Sequence, residues 1–308
     1  MNMMYFLALT IGAVICAGLF AWKLRRAGLK TMAAWIALPL SALLGLVMAR
    51  LIYFVLEFRD MYVKYDGFAG LLSANPKEFS VIGGCLGVIL AVILTAKITR
   101  QSAARILDAM AAPAALVMAL GRFAEVFNGE GIGLEVENAF FQRFPFALFN
   151  ADWEVWFWAI CLLEGVVALL ILVVLLTKKP GTAGAQAKLF LVLYCSAQIL
   201  LESLRRDQFL RWLFVRVSQL TAVLVLGGLM FYALYKWVKT PAENRMPKKA
   251  LITNWVVFLV CVGLCIAMEF AVDKAAFMPV WLCYTIMGVC CVIFGYTAHQ
   301  LILKGTKE

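Results

Sequence analysis

Residues 120–133 read L-G-R-F-A-E-V-F-N-G-E-G-I-G and gather side chains that are suited to chemistry. They combine one cation (Arg122), two acids (Glu125 and Glu130), the amide of Asn128 and four glycines, directly after a long apolar run. A guanidinium can bind phosphate oxygens through paired hydrogen bonds, and a carboxylate held away from water can accept a proton near neutral pH. The stretch predicts a polar site buried at membrane depth. The alternative is a helix end that emerges into water with an ordinary polar loop.

The spacing within this stretch also carries information. In a helix, Arg122 and Glu125 share one face, where each offsets part of the other's desolvation. A single charge at the centre of a bilayer costs about 2.5–3.5 kcal/mol on insertion scales, so such a pair needs a reason to be there. The glycines that follow allow close backbone approach to a ligand, and we expect them to break the helix.

Two later segments offer partners for these groups. Glu164 lies within the apolar run L-L-E-G-V-V, so its carboxylate should face the bundle interior and pair with Arg122 or Arg205. Gln198, Glu202 and Arg205 are spaced four and three apart and therefore form one helical stripe. The sequence predicts that this second polar face meets the first.

Arg50 is a further candidate, because it lies inside a second apolar run. It is seven residues before Glu57, on the same helix face. An intramembrane arginine is a functional candidate by default, and a side chain that extends to the membrane interface is the alternative.

The elements that must position these residues are apolar helices. The chain has 308 residues, of which 64% are hydrophobic and 15% charged, so a polytopic membrane protein is expected rather than a globular enzyme. We predict an all-α membrane helix bundle with no separate soluble domain. The nine expected spans are 3–22, 31–56, 80–96, 106–120, 153–177, 189–204, 217–235, 251–272 and 278–300. Residues 134–152 are expected to form an outer-surface segment that caps the site.

Charge sets the expected orientation. The first span has no Lys or Arg before it and several directly after it, which places the N-terminus outside and, after nine spans, the C-terminus inside. The net charge of +10 then needs no nucleic acid to explain it. Four arginines fall on the outer side against this rule, which suggests that they face a ligand: Arg205, Arg206, Arg211 and Arg216.

The nine cysteines all lie in apolar spans with no zinc-like spacing, so we treat them as small apolar residues. The single histidine, His299, is expected at the inner lipid interface.

These motifs resemble those of the prolipoprotein diacylglyceryl transferases, bacterial inner-membrane enzymes that lipidate lipoprotein precursors. The family signature G-R-x-x-N-x-x-N-x-E-x-x-G is matched at Gly121, Arg122, Asn128, Glu130 and Gly133. Similar motifs occur at residues 49–53, 82–87, 162–165 and 202–205. The resemblance covers residues 1–240 and implies a seven-span transferase-like domain. Residues 241–308 would add a basic linker and a transmembrane hairpin.

Three positions depart from the family pattern. Ile82 stands where the family has a histidine implicated in catalysis, Glu125 replaces an asparagine, and Gln198 replaces an arginine. Without that histidine, Glu125 or Glu130 would have to deprotonate the substrate thiol.

The resemblance implies transfer of a diacylglyceryl group from phosphatidylglycerol, or a similar anionic phospholipid, to the lipobox cysteine of a prolipoprotein, with no cofactor or metal. The signal peptide of the prolipoprotein and the membrane would be partners. The implied catalytic residues are Arg122, Glu125, Glu130 and Glu202, and the implied substrate-binding residues are Arg122, Asn128, Gly133, Arg205, Arg50 and Glu164.

Two other functions stay open at this point. The chain could be an altered relative that binds anionic lipid or lipoprotein without transferring, because the histidine is lost while the arginines remain. A transporter or channel is a weaker alternative, since the sequence shows no inverted repeat.

Overall fold

The structure, a computed structural model, describes residues 3–73, 75, 78–178, 181–206, 211–212, 215–274 and 278–304, without the side chains at 211, 212, 215, 273 and 274. Its helices are α1 (Met3–Arg26), α2 (Met32–Leu56), α3 (Phe58–Lys64), α4 (Val81–Thr99), α5 (Ala103–Glu125), α6 (Ile160–Thr177), α7 (Ala185–Leu204), α8 (Val217–Lys239), α9 (Lys248–Lys274) and α10 (Val280–Lys304). Within these described residues, nine helices are long and apolar enough to cross a membrane, all except the short α3. The expected polytopic helix bundle is confirmed.

Contacts between helix ends show how the bundle is arranged. The start of α7 meets the early part of α5, where the Gly184 amide donates to Asp108. The end of α7 meets the start of α6, where Arg205 pairs with Glu164. Neighbouring spans therefore run in opposite directions, and the bundle has two distinct ends. We call them the Arg122 end and the Lys178 end.

Three apolar cores hold the bundle together. The first joins α1, α2, α4 and α5, and the second joins α5, α6 and α7. The third joins α7 and α8 to α9 and α10 and includes Val192, Met230, Phe258 and Phe294. Because α7 takes part in two cores, it connects the last two helices to the rest of the bundle.

Close approach between α2 and α4 depends on glycine. A Cβ atom at Gly83 or Gly87 would overlap the backbone oxygens of Met48 and Leu44, respectively. Small residues allow this approach where lipid provides no hydrophobic drive between helices. The amide of Ser80 also donates to the Ala49 carbonyl at 3.0 Å, which fixes the start of α4 against α2.

A small sheet follows α5 and adds to the predicted helices. It comprises β1 (Ile132–Glu135), β2 (Ala147–Asn150) and β3 (Val155–Ala159), antiparallel in the order β1-β3-β2. The prediction that a span begins at Trp153 is wrong, because the helix begins at Ile160. Residues 155–158 between them are valine and aromatics, which favour strands. A second antiparallel pair joins β4 (Arg211–Trp212) and β5 (Val215–Arg216).

The cysteines behave as small core residues. All nine are free, and all but Cys85 are buried. Several of them lie in the third core, between α7, α9 and α10.

Candidate active site

Two arginines and two glutamates from three helices meet at the Arg122 end, and we call them the charge quartet. Arg122 Nη1 lies 2.5 Å from Glu125 Oε1, and Arg122 Nε lies 3.0 Å from Glu164 Oε2. Arg205 Nη1 lies 3.2 Å from the same Glu164 oxygen, and its Nη2 lies 3.8 Å from Glu125 Oε2. Each arginine therefore contacts both carboxylates. The side chains of Glu164 and Arg205 are only 3% exposed, so these charges depend on one another.

The quartet forms because α5 continues beyond the expected end of this span at residue 120. The helix runs to Glu125 and is followed by a short 3-10 turn over Val126–Asn128. Arg122 and Glu125 thus share one helix face. The glycines act after the helix: Gly129 and Gly131 have positive φ angles and turn the chain back.

Gly131 also brings backbone against the quartet. A Cβ atom there would lie 2.6 Å from both Glu125 Oε2 and Cys161 Cβ. Its carbonyl accepts from the Cys161 amide at 2.8 Å, which ties the turn to the start of α6. This contact holds Glu125 and Glu164 in neighbouring positions.

Glu202 is a buried neighbour of the quartet rather than a member of it. Its carboxylate accepts a hydrogen bond from Gln198 Nε2 at 3.0 Å, within the same stripe of α7. Gln198, at the position of a family arginine, therefore holds Glu202 without adding a charge.

Arg216 corrects the prediction that four outer arginines face a ligand. Its guanidinium donates to the backbone carbonyls of Glu202 and of Arg205, the latter at 2.8 Å. Both carbonyls lie at the end of α7, where the Glu202 carbonyl also accepts from the Arg205 amide at 3.3 Å, so Arg216 adds a side-chain cap to the helix. Arg206 is exposed and lies 3.4 Å from the Tyr284 hydroxyl. The side chain of Arg211 lies outside the described residues.

The other signature residues lie at the rim of the quartet. Asn128 is half-buried in the 3-10 turn, and Glu130 is exposed just after it, its amide bonded to the Glu125 carbonyl. Gly133 is buried, and a Cβ atom there would lie 2.8 Å from Ile160 and 3.2 Å from the Leu204 carbonyl. Gly133 thus packs β1 against α6 and α7, whereas we expected it to contact a headgroup.

Tyr5 near the start of α1 is a residue that sequence reasoning missed. Tyr5 lies near Arg122, Glu125 and Glu130, on the helix whose Gly12 packs against Leu120 of α5. A tyrosine in the first turns of an apolar helix was the available signal, and tyrosine is common at membrane interfaces for unrelated reasons.

Arg50 belongs to a separate cluster. Arg50 Nη1 lies 2.9 Å from Glu78 Oε2 and also donates to the Glu78 carbonyl at 2.8 Å, while the Gly70 carbonyl accepts from Nε at 3.0 Å. Lys64 and Tyr65 also bond to the Glu78 carboxylate, at 2.6 and 3.0 Å. The expected alignment with Glu57 does not produce the pair, because α2 ends at Leu56.

The surroundings of Glu78 fix its ionisation state. Burial of the carboxylate by itself raises its pKa, but hydrogen bonds from Lys64, Arg50 and Tyr65 outweigh burial and lower the pKa of Glu78 to about 2. Glu78 is therefore a carboxylate at any pH the cell meets, and it anchors the loop between α3 and α4.

The space beside the quartet is small. A cavity of about 10 Å³, enough for one water molecule, is lined by Arg122, Glu164, Tyr194 and Gln198 together with apolar residues. A phosphate group does not fit there. An anion that binds the arginines must therefore displace a carboxylate or enter from the rim.

The residues present bear on two chemical options, a histidine base and a metal site. Ile82 at the start of α4 supplies no proton acceptor, and the only histidine of the chain, His299, lies at the Lys178 end. Over the described part of the chain, no three His, Cys, Asp or Glu side chains are grouped so that they could hold a metal ion. Carboxylates are the remaining proton acceptors next to the arginines.

Comparison with known proteins gives one consistent result. The sequence model of a family described as prolipoprotein diacylglyceryl transferase matches residues 3–235. A phosphatidylglycerol–prolipoprotein diacylglyceryl transferase of Clostridium botulinum (strain Hall) is 29% identical over 217 residues, which are 66% of this chain and 78% of the relative. Proteins of the same name from Staphylococcus haemolyticus and Prochlorococcus marinus are 27% and 26% identical. These alignments cover 65% and 79% of this chain and 71% and 91% of the relatives.

Proposed function

The chain belongs to the prolipoprotein diacylglyceryl transferase family, and we propose that it transfers a diacylglyceryl group from phosphatidylglycerol to the cysteine thiol of a prolipoprotein. The observation that carries this proposal beyond the family match is the charge quartet, which places two guanidinium groups together in a membrane-spanning bundle. Paired guanidinium groups suit a phosphodiester, because they stay charged and match its oxygens.

The reaction defines what the site must do. The cysteine sulfur attacks the glyceryl carbon that carries the phosphate ester, so a carbon–sulfur bond forms while the carbon–oxygen bond breaks. Glycerol phosphate leaves with the bonding electrons, and the thiol proton passes to a base. An ordinary thiol has a pKa near 8.5, so at neutral pH the site must supply both a proton acceptor and positive charge.

We assign the cationic role to Arg122 and Arg205, which would hold the phosphate and stabilise charge on the leaving group. Glu164 would position both guanidinium groups, since its Oε2 atom lies within 3.2 Å of each of them. Glu202 on α7, which accepts a hydrogen bond from Gln198, would help to position the two arginines. Asn128, half-buried at the rim, would contact the glycerol headgroup.

We assign the proton-accepting role to Glu125. Its two carboxylate oxygens face Arg122 and Arg205, so a proton taken there stays next to the phosphate that departs. Glu130 is the other carboxylate of this stretch, but it is exposed at the rim. Arg50 is engaged by Glu78 and Gly70, and we propose that it fixes the loop rather than binding substrate.

The protein is a multi-pass membrane protein, and we propose the bacterial cytoplasmic membrane with the N-terminus outside and the C-terminus inside. The cluster Lys23, Arg25 and Arg26 in the last turn of α1 supports this orientation. The Arg122 end then faces outward, where the signal peptide of a prolipoprotein can present its cysteine from within the bilayer. We propose that the α9–α10 hairpin is an addition to the transferase-like part.

Complementation tests the proposal. The gene is supplied to bacteria depleted of their own transferase, and mass spectrometry of a reporter lipoprotein detects the diacylglyceryl thioether. We expect modification with the native chain and with Glu137→Gln, an exposed control, and none with Arg122→Gln. Native protein that accumulates in the membrane but yields only unmodified reporter would overturn the proposal. That outcome would support the alternative, a relative that binds without transferring, which the names of the relatives do not favour.

A further inference from the structure

A second cavity, of about 400 Å³, lies at the Lys178 end, away from the charge quartet. It is enclosed by the end of α6, the start of α7, the end of α8 and the end of α10. The lining residues are Lys178, Gly181, Thr182, Ala185, Gln186, Lys188, Leu189, Lys236, His299, Ile302, Leu303 and Lys304. We call this cavity the lysine pocket.

The charge of the lysine pocket is one-sided. Four lysines and a histidine line it, and no acidic residue is found among the lining residues that the structure describes. Lys178 Nζ lies 3.3 Å from His299 Nε2, so α6 and α10 bring two basic groups together. The carboxylate of Asp108 lies at the start of α7, where it accepts from the amides of Gly184 and Ala187 at 2.7 and 2.9 Å. Asp108 thus caps a helix and adds one negative charge beside the pocket, against the four lysines of the described lining.

The other walls of the pocket suit an amphipathic ligand. Thr182 and Gln186 add neutral hydrogen-bonding groups, and Gln186 Nε2 donates to the Lys178 carbonyl at 3.1 Å. Leu189 and Ile302 are buried apolar residues of the same lining. A phosphate near the lysines and an acyl glycerol against these apolar side chains would satisfy both kinds of surface. Basic pockets between helix ends at a membrane surface are suited to anionic headgroups.

We propose that the lysine pocket binds the phosphate of an anionic phospholipid, as a site separate from the charge quartet. Two of its basic groups, His299 and Lys304, lie on α10, beyond the residues that the family model matches. The pocket is therefore completed by a helix beyond the matched residues, while Lys178 and Lys188 lie within them. It does not depend on the proposed transferase activity. His299, which we expected at the lipid interface, has a defined place in it.

Lipid retention by the whole chain tests this proposal. The purified protein is titrated with phosphatidylglycerol and, separately, with phosphatidylcholine, and native mass spectrometry counts the lipids bound. The test variant carries Lys178→Gln and Lys304→Gln. The matched control carries Lys30→Gln and Lys97→Gln, which remove two exposed lysines at the same end of the bundle. We expect the apparent affinity for one phosphatidylglycerol to fall roughly 10- to 30-fold in the test variant only.

Inorganic phosphate distinguishes the source of the ligand. If millimolar phosphate leaves phosphatidylglycerol binding unchanged, the occupant is a lipid headgroup held also by its acyl part. If phosphate alone binds to the native chain, is lost in the test variant and no phospholipid is retained, the phosphate site stands and its ligand is a soluble phosphate compound. Equal binding of every lipid and of phosphate by test and control variants would overturn the proposal.

A second variant guards against misfolding. Lys236→Gln changes a lysine on α8 that makes no part of the Lys178–His299 contact. It should weaken phosphatidylglycerol binding as well, while the thermal unfolding midpoint and the diacylglyceryl transfer rate stay at native values. The proposal is contradicted if Lys236→Gln and the folded Lys178→Gln, Lys304→Gln variant both bind phosphatidylglycerol with native affinity.

Discussion

The Nε atom of Arg122 on α5 lies 3.0 Å from Oε2 of Glu164 on α6, and the same oxygen is 3.2 Å from Arg205 at the end of α7. One carboxylate oxygen therefore links three helices. Glu164 is almost fully buried, so its negative charge is stabilised only while both guanidinium groups lie beside it.

Glu164→Gln should destabilise the bundle, because it leaves the buried Arg205 and the half-buried Arg122 with one fewer counter-charge. Loss of one partner of a buried ion pair costs about 3–5 kcal/mol. Unfolding in mixed micelles measures the effect, with Glu137→Gln as an exposed control that should change stability by less than about 0.5 kcal/mol. Equal free energies of unfolding for the two variants would show that Glu164 does not stabilise the bundle in this way.

Glu125→Gln tests the base. The amide keeps the size of the side chain and a hydrogen-bonding oxygen but cannot accept the thiol proton, so we expect the transfer rate to fall by about 10²- to 10⁴-fold. The rate is measured with a lipobox peptide in phosphatidylglycerol vesicles. Glu130→Gln is the comparison and should retain most of the activity. If Glu125→Gln kept full activity and Glu130→Gln lost its activity, Glu130 would be the proton acceptor instead.

Gly87→Ala should loosen the contact between α2 and α4, because the new methyl group overlaps the Leu44 carbonyl. Overpacking of this kind costs about 1–3 kcal/mol, and a lower thermal midpoint in detergent would record it. Gly84→Ala is a close control on the same helix, since a Cβ atom there meets nothing within 4 Å. A native or raised midpoint in Gly87→Ala would contradict the close approach.

Glu78 should make the stability of the protein depend on pH in the acid range. Because hydrogen bonds outweigh burial and hold its pKa at about 2 in the folded chain, against an ordinary 4.5, Glu78 contributes its full stabilisation above about pH 4.5. That contribution is lost as the pH falls through 4.5 toward 2. Glu78→Gln should therefore lower the thermal midpoint at pH 7 and make it less dependent on pH between 5 and 2. Glu137→Gln should keep the native pH profile.

The helices were predictable from hydropathy, and the polar residues that meet were predictable only in part. Spacing alone places Arg122 and Glu125 on one face and Gln198 near Glu202, since both pairs lie within single helices. The partner of Arg50 was not predictable. Glu78 comes from a loop whose sequence is typical of a surface, and Glu57, seven residues after Arg50, offered a competing partner.

The turns around the site depend on tertiary contacts that sequence patterns do not encode. The aromatic run before α6 suits a membrane helix and a strand equally, and pairing of β3 with β1 and β2 decides between them. We expected Arg216 to face a ligand, but its guanidinium donates to backbone carbonyls at the end of α7. Charge counts cannot reveal a helix cap of this kind.

The quartet holds two positive and two negative groups, so it is neutral as it stands. A phospholipid headgroup that enters between Arg122 and Arg205 brings one more negative charge into a region with little water. Electroneutrality then requires a carboxylate to swing out or a proton to accompany the lipid. Occupancy by substrate should thus be linked to proton uptake, and the headgroup should bind more tightly from an acidic medium than from an alkaline one.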